Sequence, residues 1–185
     1  PAVCDQLHFP LQSGSNRILA AMHRGSTVEK YLDRLAMARN TIEGLAVSTD
    51  IIVGFPGETD DDFQATLDVV SEARFDHAFM FIFSPRPGTA AAAMDNDFVD
   101  PAVVQERFQR LMEVQSVNGL ASNRADVGRT MEVLAEGPSK KDPSVATTRT
   151  RTGKVVHLPG CYEPGTFIDA TITEATQHYL VGSPV

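Results

Sequence analysis

Cysteine is scarce in this chain, long apolar runs are missing, and basic residues are outnumbered. The 185 residues contain two cysteines, Cys4 and Cys161, far apart and without Cys-x-x-Cys spacing. A disulfide framework is therefore not expected, and no metal site can be built from the thiols of this chain alone. No apolar run approaches the ~20 residues that a bilayer span requires. The opening Pro1-Ala2-Val3-Cys4-Asp5-Gln6 has no charged-then-apolar signal pattern. These absences exclude a membrane partner and make a cytoplasmic location the expectation. A formal charge of −8 argues against indiscriminate nucleic-acid binding.

What is present is unevenly distributed. Residues 1–125 hold 10 Lys/Arg against 17 Asp/Glu, and residues 126–185 hold 6 against 7. In the second part Lys140, Lys141, Arg149, Arg151 and Lys154 cluster with only Asp142 between them. Such a patch on an acidic protein is either a focused electrostatic footprint or a solvated hairpin tip. A hydrophobic content of 42% suffices for one domain plus a small module.

Strand and helix alternate over residues 1–125. Gln6 to Gln12 reads as a short strand, stopped by Ser13-Gly14-Ser15, with a helix from Asn16 to Met22. Thr27 caps a second helix to about Asn40, with Tyr31, Leu32, Leu35 and Ala38 on one face. Leu45 to Val53 and His77 to Phe83 are apolar enough to be buried parallel strands covered on both sides. Between them Asp60 to about Ala73 forms a helix that turns Phe63, Leu67 and Val70 inward. Residues 90–100 resemble a linker, and a long helix then runs from Pro101 to about Asn123, with Val104, Phe108, Leu111 and Gln115 in register. The reading is α/β, three βα units of parallel sheet. From Gly128 the period changes to two, with strands near 130–134, 146–150, 155–158 and 167–173 separated by Pro and Gly pairs. That pattern suggests a small all-β barrel of the oligonucleotide-binding type, with the boundary near Asp126. Three parallel strands are few for such a sheet, and the first begins at residue 6. The expectation is the C-terminal part of a longer protein.

The segment Thr49-Asp50-Ile51-Ile52-Val53-Gly54-Phe55-Pro56-Gly57-Glu58-Thr59 is a strand ending in a glycine-rich turn that feeds a helix. Ligands in α/β folds bind at such strand ends, where glycines permit close backbone approach and helix N–H groups favour an anion. An ordinary capped βα turn fits the same residues. Glu58 suits a cap for the following helix. An acid at Asp50, just before the buried run, must be paired or hydrogen-bonded to ligand or backbone. His8, His23 and His77 form no metal-spaced pair, and no catalytic or metal-ligating residue is assigned.

Four ordered motifs carry a resemblance. Leu7-His8-Phe9-Pro10-Leu11-Gln12-Ser13-Gly14-Ser15-Asn16, Met22-His23-Arg24-Gly25-Ser26-Thr27, the 49–59 segment and Phe81-Ile82-Phe83-Ser84-Pro85-Arg86-Pro87-Gly88-Thr89 resemble segments of the radical S-adenosylmethionine methylthiotransferases. Residues 126–185 resemble a TRAM domain, the RNA-binding barrel of that family. The Ser-Gly-Ser and Ser-Pro-Arg-Pro-Gly forms resemble the tRNA branches, closest to the one acting on isopentenylated adenosine, with the threonylcarbamoyladenosine branch as the near rival. The resemblance implies a partial (β/α)6 barrel over 1–125 followed by a TRAM barrel over 126–185. It implies S-adenosyl-L-methionine and two [4Fe–4S] clusters in the intact protein. The cluster cysteines are not in this chain, so the chain by itself is expected to be inactive.

Further roles follow from the same resemblance. Gln12 and Ser13 would contact the ribose or methionine part of the cofactor, and Arg24 its carboxylate. Ile52, Val53 and Gly54 would flank the adenine, with Phe83 and Ser84 closing the opposite side, and Asp50 would hydrogen-bond nearby. Arg86, stiffened between two prolines, would face tRNA or substrate. Lys140, Lys141, Arg149, Arg151, Lys154 and His157 would contact phosphates of the tRNA anticodon stem-loop. Thr150-Arg151-Thr152 departs from the family's usual Gly-Arg-Thr. The implied partners are tRNA and the N-terminal cluster domains of the same protein. An open half-barrel also favours self-association of the fragment. The rival reading is a non-catalytic RNA-binding protein in which a degenerate half-barrel carries the β-barrel.

Overall fold

The computed structural model describes residues 3–94 and 97–185. By its contacts the chain divides into two compact units. One comprises His8–Ile42 with Val47–Ser116; the other comprises Val117–Val185 with Glu43–Ala46 and the residues up to Leu7.

A three-stranded sheet runs in the order β1 (Gln6–His8), β2 (Ala46–Val53), β3 (His77–Ile82), most of its residues falling in the first unit. The first strand is shorter than the apolar run suggested. Pro10 has no N–H to donate, and Gln12 adopts a positive φ of 75°. Contact with β2 resumes at Gln12, whose N–H donates to the Asp50 carbonyl at 2.8 Å while its carbonyl accepts from Ile52 at 2.9 Å. Strands β2 and β3 are parallel, from Ser48 opposite His77 to Val53 opposite Ile82.

Helices α1 (Asn16–Ala21), α2 (Val28–Thr41), α3 (Asp60–Ala73) and α4 (Pro101–Arg124) follow the expected order. Ser15, Thr27 and Thr59 cap the first three through side-chain oxygens that accept backbone N–H groups. Buried Ile18, Val47, Ile51, Val53, Phe63, Val70, Phe75 and Leu111 form the apolar core of this unit. In α2, Tyr31 and Leu35 are buried, whereas Leu32 and Ala38 are only partly covered. Ala91–Ala93 form one 3-10 turn. Asp95 and Asn96, within the stretch expected to be a linker, lie outside the described residues.

Strand β3 departs from the two-sided cover expected of it. Strand β3 is not buried on both sides: Ala78 is 4% exposed, but Phe79 and Phe81 are 48% and 50% exposed. In register, Asp50 stands opposite Phe79 and Ile52 opposite Phe81. Since side chains alternate along a strand, the face bearing these four residues is the open one. The other face, with Ile51, Val53 and Ala78, is covered. The uninterrupted apolar sequence of β3 hides this difference.

The second unit is a closed five-stranded barrel in the order β4 (Thr130–Pro138), β5 (Val145–Thr150), β6 (Val155–Pro159), β8 (Leu180–Pro184), β7 (Phe167–Ala175). Its core is Val133, Val156, Leu158, Ala170, Ile172 and Leu180. Strand β8 was not anticipated, because Leu-Val-Gly-Ser-Pro has no clear alternation. It closes the barrel by pairing parallel with β6 and antiparallel with β7. Gly182 sits close to its neighbours there, since a Cβ would lie 3.0 Å from the Thr171 carbonyl oxygen and 3.1 Å from a Leu158 methyl.

Candidate functional site

A cavity of about 630 Å³ opens on the uncovered face of the sheet. Gln12, Arg24, Asp50, Ile52, Phe83, Ser84 and Arg86 line it, although they come from four separate stretches of sequence. Phe81 joins them from β3. Gln12 is 6% exposed, yet its side-chain amide makes no hydrogen bond among the described residues. Asp50 faces His8, with Nε2 3.5 Å from the carboxylate, while His8 Nδ1 lies 3.0 Å from Ser48 Oγ. Arg24 is exposed and has no ion pair among the described residues. The cavity therefore presents an unengaged guanidinium, an unengaged amide, a carboxylate and an apolar wall.

Ser13, Val53 and Gly54 are placed elsewhere. Ser13 is fully buried, its Oγ 3.4 Å from Thr66 Oγ1 and accepting the Ser15 N–H at 3.2 Å. Val53 sits in the core on the covered face of the sheet. Gly54, with φ of 76°, backs onto α4, where a Cβ would lie 2.6 Å from a Val104 methyl.

In the turn after β2 the N–H groups of Gly54, Gly57 and Thr59 are engaged by the protein itself. Gly54 N–H donates to Glu58 Oε2 at 2.9 Å, Gly57 N–H to the Asp97 carbonyl at 2.7 Å, and Thr59 N–H to Asp62 Oδ2 at 2.9 Å. Glu58 does not cap the helix, as its sequence position suggested. Thr59 and Asp62 form a reciprocal capping box instead. The Glu58 side chain is turned inward and is 1% exposed, facing an Arg107 side chain that is 4% exposed. Arg107 donates to Glu58 Oε2 at 2.8 Å and to Asp60 Oδ1 at 2.6 Å. Burial pushes the Glu58 carboxyl up from its ordinary value, opposed by the Gly54 N–H and the Arg107 charge. Sequence reading missed Arg107. The available signal was a cation at 107 on the helical stripe of Val104 and Leu111.

The basic residues of the barrel unit do not act as one patch. Lys140, Lys141 and His157 line a groove of about 900 Å³. Arg149 is held by Glu136 through bonds of 2.7 and 3.1 Å, and Arg151 by Asp5 and the Val3 carbonyl. Lys154 is mostly buried, with Nζ 2.7 Å from Asp126 and 2.8 Å from Ser122 Oγ. None of these three lines the groove. Arg86 belongs to the other cavity.

Comparison with known proteins agrees with both units. The Radical SAM superfamily matches residues 1–70, and the TRAM domain matches residues 124–185. A Moorella thermoacetica protein named tRNA-2-methylthio-N(6)-dimethylallyladenosine synthase is 48% identical over 99% of this chain. Proteins of the same name from Mycolicibacterium smegmatis and Corynebacterium jeikeium are 51% and 46% identical over 98% of it. The chain thus joins a Radical SAM superfamily match to a TRAM domain match and is similar over nearly all its length to proteins of that name. It spans 41%, 36% and 36% of the length of those three relatives. Among solved structures, coproporphyrinogen III oxidase of Escherichia coli, described as a radical SAM enzyme, superposes with a TM-score of 0.54 at 16% identity, over 80% of this chain and 41% of its own. That likeness concerns the fold.

Likeness to these radical SAM proteins implies S-adenosylmethionine and [4Fe–4S] clusters. The cavity fits the first, because a free guanidinium, an unengaged amide that lines it and an apolar wall match a zwitterionic amino acid joined to a nucleoside. The chain does not fit the second. Clusters need thiolates, Cys4 and Cys161 are both exposed and single, and no group of three His, Cys, Asp or Glu residues suited to a metal occurs among the described residues. Nor, among them, is any helix long and apolar enough to cross a membrane.

Proposed function

We propose that the protein to which this chain belongs is a tRNA methylthiotransferase, acting at C2 of N6-isopentenyladenosine beside the anticodon. The observation that carries this reading is the convergence of Gln12, Arg24, Asp50, Ile52 and Phe83 on one cavity, in a chain whose relatives are named for that product. S-adenosylmethionine, when bound and reductively cleaved, supplies the radical chemistry. The residues of this chain bind and orient it. Arg24 pairs with the cofactor carboxylate, and the Gln12 amide hydrogen-bonds the methionine or ribose part. Asp50 accepts from a hydroxyl or the ammonium group, while Ile52 and Phe83 flank the adenine. Ser13, Val53 and Gly54 support this wall from behind. The clusters are held by cysteines outside this chain.

The three βα units are read as half of a (β/α)6 barrel. The open sheet face and its exposed Phe79 and Phe81 support this, since strands and substrate from the rest of the protein would cover them. The functional boundary is drawn at Asp126, with the radical SAM part over 1–125 and the TRAM part over 126–185. The TRAM barrel engages the anticodon stem-loop, with Lys140, Lys141 and His157 in its groove, and Arg86 reaches the substrate from the cofactor cavity. Arg149, Arg151 and Lys154 are each matched by an internal acid and are assigned no phosphate contact. A cytoplasmic location fits this substrate.

Mass spectrometry of tRNA nucleosides from a strain lacking the gene tests the reading. Loss of the methylthio group with accumulation of isopentenyladenosine supports it. Loss from threonylcarbamoyladenosine instead moves the protein to the rival branch, and an unchanged profile returns it to a non-catalytic RNA-binding role.

A further inference from the structure

The groove on the barrel is more than a pair of lysines. Thr147, His157 and Val181 form one cross-strand row, because Thr147 pairs with His157 across β5 and β6, and His157 with Val181 across β6 and β8. Their neighbours Ala146, Thr148, Val156 and Leu158 fill the interior, so the row lies on the outer surface. There the Tyr179 ring packs edge-on against His157, with centroids 4.9 Å apart at 67°, and stays 38% exposed. His157 Nδ1 is buried and has no hydrogen-bond partner among the described residues.

The rim carries free positive charge. Ser144 donates from its N–H and Oγ to Asp142 Oδ1 at 2.9 and 2.7 Å, which engages that carboxylate within its own turn. Ser139 N–H donates to the Val145 carbonyl at 2.7 Å and closes the same turn, which presents Lys140 and Lys141. Glu136, the other acid in the lining, is held by Arg149.

We propose that this groove is a nucleotide subsite in which one unstacked base of single-stranded RNA packs on Tyr179 and His157 while its flanking phosphates lie against Lys140 and Lys141. The inference rests on the RNA-binding reading of the barrel and narrows it from backbone contact to base contact. Duplex RNA keeps its bases stacked, whereas a loop or single strand can splay one onto an aromatic side chain. Stacking tolerates any base, so the subsite holds a nucleotide without reading its identity.

Fluorescence anisotropy with the full chain tests it, using a labelled short single-stranded RNA, the same strand with an abasic residue at each position, and a blunt RNA duplex. The intact strand binds most tightly. Tyr179→Ala weakens it about tenfold, Tyr179→Phe does not, and neither changes binding of the abasic strand. The Lys140→Ala/Lys141→Ala pair weakens binding to all three probes and flattens the salt dependence by about one to two charges. Unchanged binding of the abasic strand by Tyr179→Ala shows that the loss is not misfolding, and retention by Tyr179→Phe shows that the ring, not the hydroxyl, is what binds. If Tyr179→Ala binds the intact strand as wild type does, or weakens the abasic strand equally, the subsite is wrong while RNA binding stands. Failure of every probe to bind at low salt overturns both.

Discussion

The buried pair of Glu58 and Arg107 supports a sharp test. Arg107→Ala removes the cation from a carboxylate whose side chain is 1% exposed, leaving Gly54 N–H as its remaining donor. It also removes the bond to Asp60 and a guanidinium 5.7 Å from the Phe63 ring centre. Breaking one side of a buried ion pair costs about 3–5 kcal/mol, because the remaining charge is left desolvated. Without Arg107, burial is opposed only by the Gly54 bond, so the Glu58 carboxyl moves further above its unfolded value. Such a raised group favours the folded state below its unfolded pKa, near 4.3, and that contribution is lost as pH rises through the folded pKa. The variant is therefore expected to be more damaged at pH 8 than at pH 5. Urea unfolding followed by circular dichroism at both values measures this. The double variant Glu58→Gln/Arg107→Met, which buries no charge, should recover most of the loss. A change under about 0.5 kcal/mol in Arg107→Ala, or equal damage at both pH values, would refute the reasoning.

Other expectations are as specific. Gly14→Ala places a Cβ 2.5 Å from the Ala65 carbonyl oxygen, and closer still to Thr66 Cα, in the backbone of α3. It should lower stability by about 1–3 kcal/mol in a thermal melt. Arg24→Ala should weaken S-adenosylmethionine binding by calorimetry about tenfold or more while leaving the melting temperature unchanged, since Arg24 is exposed and unpaired among the described residues. Asp62 is held well below the usual carboxylate range: burial alone would raise it, but hydrogen bonds from Arg17, Ser15 and Thr59 outweigh that. Its contribution is present above the unfolded value near 3.9 and fades as pH falls towards the folded one. The gap in urea midpoint between wild type and Asp62→Asn should therefore shrink between pH 6 and 2.5, and a constant gap would count against it. Strands β1 and β3 each pair on one side only among the described residues, so light scattering should show self-association of the isolated chain. A monomer at all concentrations would remove that expectation.

Much of this protein was legible in its sequence because local rules and tertiary structure agree. Ser15, Thr27 and Thr59 start helices where their hydroxyls cap free N–H groups, and the shift from period 3.6 to period two near Gly128 separates helices from barrel strands. The motifs that carry the family resemblance named Gln12, Arg24, Asp50, Ile52 and Phe83, and these five line one cavity. What the sequence left open is decided by neighbours far along the chain. An apolar strand reads the same whether one face or two are covered, so the exposure of Phe79 and Phe81 needed the sheet itself. Glu58 and Arg107 lie 49 positions apart, and nothing local announces that a cation from α4 turns a presumed cap into a buried pair. The charges at 140–154 looked uniform because a sequence shows only their spacing. Their partners Glu136, Asp5 and Asp126 hold Arg149, Arg151 and Lys154, leaving Lys140 and Lys141 beside His157 and Tyr179. Backbone preference and amphipathic period are local properties carried by each segment, whereas burial and charge pairing depend on which segments meet.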